Sequence, residues 1–123
     1  MKKLISLLAL GFVLAIPAAS ALTQAQLREC QALSKSIGPA TASLEEKNLE
    51  RDALAEETEA AGEAWENAEN IRTLSADKAA IADSLKATYE DFKDRLNTFE
   101  GELFDSSQKL NKDVFRFNTL CVT

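Results

Sequence analysis

The sequence predicts an all-α protein: a long antiparallel helical hairpin of coiled-coil character, with a kinked first helix and open ends tied by a disulfide. Three observations predict it. Apolar residues in the second half recur at alternating spacings of three and four, the period of a helical seam. Strand signals are missing, with no alternating stretch and no Asn-Gly or Asp-Gly turn. Two cysteines, Cys30 and Cys121, flank the helical stretch near its two ends.

The first element is a leader. Lys2 and Lys3 open the chain, Leu4 to Ile16 is apolar apart from Ser6 and Gly11, and Pro17 precedes Ala19-Ser20-Ala21. A positive start, a short apolar run and a small-x-small site form a secretory signal peptide over 1–21. The run is too short for a membrane anchor, which needs about 20 apolar residues. No second apolar run follows, so the mature chain, 22–123, is expected to form one soluble domain without membrane insertion. The compact Lys-Lys start points to a bacterial protein of the periplasm or the medium. Loss of the two leader lysines takes the net charge from −6 to −8.

Two cysteines in an exported chain read as one bridge, since oxidising compartments sustain disulfides. Neither cysteine has a second within a few residues, so no Cys-x-x-Cys redox motif exists. Closing so long a loop is worth about 4–5 kcal/mol in loop entropy, less any strain.

Three helices are expected. The first, over about 24–37, carries Leu27, Cys30, Leu33 and Ile37 on one face and stops at Gly38-Pro39. The second, over about 43–73, begins with Ser43-Leu44-Glu45-Glu46 as a capping box. Leu54, Ala61, Ala64, Ala68 and Ile71 form its narrow core face. The third spans about 76–118. Ala82, Leu85, Tyr89, Phe92, Leu96, Phe99 and Leu103 follow spacings of 3, 4, 3, 4, 3, 4. Ser106 and Leu110 continue the stripe, and one extra step of four to Val114 is a stutter before Phe117 and Cys121.

The connection near Arg72–Ala76 is very short, which forces antiparallel neighbours. In that register Ala61 faces Tyr89 and Ala68 faces Ala82 or Ile81, small opposite large as close packing requires. If the first helix continues the line of the second, Cys121 falls within a turn of Cys30, inside disulfide reach. A three-helix bundle with the first helix folded back is the competing architecture, and it would separate the cysteines.

Composition excludes several functions. The sequence contains no histidine, so it holds neither a His-based catalytic triad nor His-ligated metal or haem. The four glycines form no phosphate cradle, and the acidic balance without a basic stripe argues against nucleic acid and anionic membranes. No catalytic, cofactor or metal residues are assigned, and no enzyme is expected.

Three surfaces remain. Asp52, Glu56, Glu59, Glu63 and Glu66 form an acidic stripe at spacings 4, 3, 4, 3, within a segment (45–69) of ten acidic and two basic side chains. Such a run is commonly a solvated face that keeps an exported protein soluble. Its functional reading is a docking strip for a basic partner or a loose site for divalent cations. Trp65, the single tryptophan, flanks the seam and reads as a cap over the groove, with a binding anchor as the alternative. Phe104, Phe115 and Val122 lie on one line of the third helix beside its seam. If the first helix leaves them bare, a second subunit or a client covers them. The function expected is an exported, non-enzymatic interaction protein that binds a protein partner or itself, as in a homodimeric four-helix bundle. A holdase-like chaperone is the alternative, with acidic-face cation binding as a third reading.

Overall fold

The computed structural model describes residues 21–122, so the predicted leader lies, apart from Ala21, outside the described residues. Two α-helices of 46 residues each, α1 (Gln24–Glu69) and α2 (Ala76–Cys121), are joined by a 3-10 turn over Arg72–Leu74 and pack antiparallel. No strand occurs among the described residues.

Local chemistry sets the ends. Thr23 caps α1: its hydroxyl accepts the Gln26 amide at 3.2 Å, and the Gln26 carboxamide accepts the Thr23 amide at 2.8 Å. The capping box is therefore Thr23-x-x-Gln26, and Ser43 lies in helical interior, where the preceding residues already occupy its amide partners. Ser75 caps α2 through its hydroxyl, as the start near Ser75 or Ala76 required. α1 stops at Glu69, short of the expected Thr73. Ile71, placed on the core face by the sequence, begins the turn instead and is exposed.

The expected division into helices over 24–37 and 43–73 is replaced by one helix running through Gly38-Pro39. Proline removes one backbone hydrogen bond and crowds the carbonyl four residues back, which bends a helix as often as it ends one. α1 bends by 36° and contains Pro39. Gly38 eases the passage because the clash that drives a pre-proline residue out of helical conformation involves its Cβ. Ser36 and Thr41 add hydroxyl bonds to the carbonyls of Leu33 and Ile37, at 3.1 and 2.8 Å, a pattern that accompanies helix bending. The continuous α1 places Cys30 beside Cys121, with Cα atoms 5.7 Å apart in a disulfide across 91 positions. The folded-back three-helix bundle does not form.

The seam follows the predicted stripe. Ala68 and Ala82 are buried where the register set them together, while Ile81 is exposed. Tyr89 lies against Gly62, one residue from the predicted Ala61. Thr58 is the third buried residue, with its hydroxyl donating to the Leu54 carbonyl at 2.7 Å. No large side chain among the described residues is fully buried; those of the seam, Phe99 included, are half-buried. Two helices in contact shield only one flank of each large side chain, so the hairpin has a seam without an enclosed core.

Candidate interaction surface

Three arginines hold the hairpin across its length. Near the turn, Arg72 donates to Glu69 of α1 at 2.9 and 3.0 Å and also reaches Asp83 of α2. In the middle, Arg51 donates to Glu100 at 2.8 and 3.0 Å and to Asp52 at 3.0 Å. At the open end, Arg116 grips Glu29 with two parallel bonds of 2.6 and 3.1 Å. Hydrogen bonding to Arg116 holds the Glu29 carboxyl below its ordinary value, against a smaller opposing desolvation effect. The bonds that Arg116, Arg51 and Arg72 donate to Glu29, Glu100 and Asp83 hold each guanidinium above its ordinary value. Sequence reasoning missed all three. Each pair becomes visible only when the antiparallel register is applied to charged as well as apolar residues.

The Trp65 ring lies across the seam. It stacks on Tyr89 with centroids 5.6 Å apart and planes 22° from parallel, and the Lys86 ammonium sits 5.7 Å from its centroid. Its indole Nε1 is shielded from solvent and has no hydrogen-bond acceptor among the described residues. Trp65 thus occupies the cap position the sequence assigned, with one ring face taken by Tyr89.

The acidic stripe faces water along its length: Asp52, Glu56, Glu59, Glu63 and Glu66 are all exposed. Asp52 is engaged by Arg51. The described residues contain no cluster of three or more His, Cys, Asp or Glu side chains placed to hold a metal ion. No helix among them is long and apolar enough to cross a membrane.

The apolar surface lies elsewhere. Phe104 is 63% exposed and Phe115 72% exposed, and Val122 is exposed as well. α1 leaves this line of α2 bare. Phe104 forms the rim of a groove of about 280 Å³ between the helices, with Leu44, Asn48, Glu100, Leu103 and Ser107. A second groove, of about 400 Å³, lies beside Leu54 and Phe99. Leu49 and Leu74 add exposed apolar groups that the sequence reading did not name, and Leu27 and Ile81, which it placed on packing faces, are exposed as well because two helices cover only a narrow seam.

Fold and surface together define a class: a disulfide-closed antiparallel helical hairpin with a continuous seam and bare apolar positions. Comparison with known proteins finds no matching family model, no matching curated protein and no matching solved structure.

Proposed function

We propose that this is a non-enzymatic interaction protein of the bacterial cell envelope, exported to the periplasm or the medium, which binds a protein partner or a second copy of itself through its helical faces. The observation that carries the reading is the exposure of Phe104 and Phe115 on the line of α2 beside its packed seam. Grouped apolar exposure commonly marks a site of association. Phe104 has a ready-made groove beside it, so a docked side chain exchanges water for contact on both helices. Export rests on the leader pattern and on the disulfide, which oxidising compartments sustain. The non-enzymatic reading rests on the lack of histidine and on a stripe of acidic side chains that stands in water rather than in an enclosed pocket.

Photo-crosslinking in native cells, with the reactive residue at positions 65, 104 and 115, tests the proposal. Discrete adducts at 104 or 115 are expected, and position 65 is expected to react weakly with other chains because it faces Tyr89 across the seam. A protein that gives no adduct at any of the three positions is not an interaction protein of this kind.

The open grooves beside Phe99 and Phe104 favour one second reading, a holdase-like chaperone for unfolded exported proteins. Suppressed aggregation of a denatured exported protein at stoichiometric ratio is the result that reading requires.

A further inference from the structure

We infer that the Phe104 face is an interface with a second copy of this chain, the two hairpins lying antiparallel about a two-fold axis near mid-rod. The inference rests on the reading above that the helical faces bind protein, and it commits to the occupant.

Position comes first. Phe104 lies close to the centre of α2, and Leu44 and Asn48 close to the centre of α1. A patch near the middle of a rod meets its own copy when two antiparallel rods overlap over most of their length, which is the self-complementary arrangement a two-fold dimer requires. The Phe104 ring of one copy then enters the groove beside Leu44, Asn48 and Leu103 of the other.

Burial supplies the need. Among the described residues only Ala68, Ala82 and Thr58 are buried in the single hairpin. A second hairpin laid on this face produces a four-helix bundle and gives the half-buried residues on this flank of the seam their missing neighbours.

Charge selects the direction. Residues 45–104, the half nearer the turn, carry seventeen acidic and seven basic side chains. Residues 22–44 and 105–122, the open end, carry three acidic and five basic. A parallel pair sets acidic half against acidic half. An antiparallel pair sets each acidic half against a basic end. Arg28, Lys35 and Lys112 at that end are exposed and have no ion-pair partner among the described residues. In the antiparallel overlap that seats Phe104 in this groove, Lys112 of one copy comes level with Asp52 and Glu56 of the other, so the acidic stripe acquires a partner.

The test uses the disulfide-bonded protein purified after export. Sedimentation is measured at about 20 mM and about 500 mM salt, since the screening length falls several-fold between them. A dimer is expected at low salt, with a Kd at least about tenfold higher at high salt. Zero-length carbodiimide crosslinking of mixed light and heavy isotope protein should give mixed-isotope peptides joining Lys112 to Asp52 or Glu56. Within one chain these groups are about 20–30 Å apart along the rod, too far for such a link. Phe104→Asp should raise the dimer Kd by more than about tenfold with helix content unchanged, since the residue is solvent-exposed in the single hairpin. A monomer at low salt, crosslinks joining like ends, or a dimer indifferent to Phe104→Asp each overturns the inference. A monomer that still gives a foreign adduct in cells overturns self-association alone and leaves the interaction reading standing.

Discussion

At Gly62 the two helices approach through a ring face: a Cβ there would lie 3.1 Å from Tyr89 Cε2. Tyr89 has little room to yield, because Trp65 is stacked on it. Gly101, also in mid-helix, has open space where its Cβ would be. Gly101→Ala should stabilise the protein by about 0.5–1 kcal/mol through helix propensity. Gly62→Ala gains the same propensity but overpacks the seam at a cost of about 1–3 kcal/mol, so it should destabilise. Denaturant unfolding of the two variants checks both signs. If both stabilise equally, the Tyr89–Trp65 stack is free to shift. Phe99 is half-buried beside an open groove. Phe99→Ala should therefore cost about 1–2 kcal/mol, below the 3–5 kcal/mol of an enclosed aromatic. A loss in that higher range would mean the ring is covered in solution.

At the scale of elements, each helix is set by its caps and held to its neighbour by a few long-range pairs. Propensity alone would leave an alanine-rich α1 marginal without its partner. The Glu29–Arg116 clamp makes the open end sensitive to acid. Glu29 is lowered chiefly by its bonds to Arg116, so its folded value lies below its unfolded one. Its contribution is present in full above the ordinary glutamate range and is lost as pH falls through and below it. Amide exchange in residues 24–34 and 112–121 should accelerate over that acid window before exchange at the turn does. Glu29→Gln should remove the difference, because a neutral amide cannot titrate. An open end whose exchange follows the same pH course in both proteins would show that the clamp does not form. Pro39 illustrates how an element is decided by its surroundings. The pair Gly38-Pro39 carries the sequence signature of a helix stop. Apolar contacts on both sides of it, and the disulfide beyond, reward continuation with a bend.

Over the whole molecule, the disulfide closes the end opposite the turn, so both ends of the rod are covalently joined. Replacing Cys30 or Cys121 by Ser should lower stability by about 2–5 kcal/mol. The loss should be graded, with exchange fastest beside Cys30 and slowest near Ala68 and Ala82, where burial is deepest. Uniform loss along the rod would mean the hairpin melts as one unit rather than from its open end.

Much of this molecule was legible in its residues. The 3, 4 stripe from Ala82 to Leu103, the short connection and the cysteine positions are mutually consistent, and periodicity and spacing are one-dimensional quantities. Thr58 sits on the same period, yet as a polar β-branched residue it hides in an apolar count. The candidate surface was legible in part: the line Phe104–Phe115–Val122 is a spacing, but its exposure is not.

Sequence alone determined that this protein is a helical hairpin, where it turns, and that its two cysteines meet provided the first helix continues the line of the second. Helical period, loop length and loop-closure geometry demand nothing beyond the order of residues. Tertiary structure decided three further things: that α1 runs unbroken through Pro39, that three arginines bridge the helices, and that Phe104 and Phe115 stay bare. Each is a balance between a local preference and what the neighbouring helix supplies in space. Two helices packed along one seam supply enough contact to carry α1 past a proline, and too little to cover the line of α2 beside that seam.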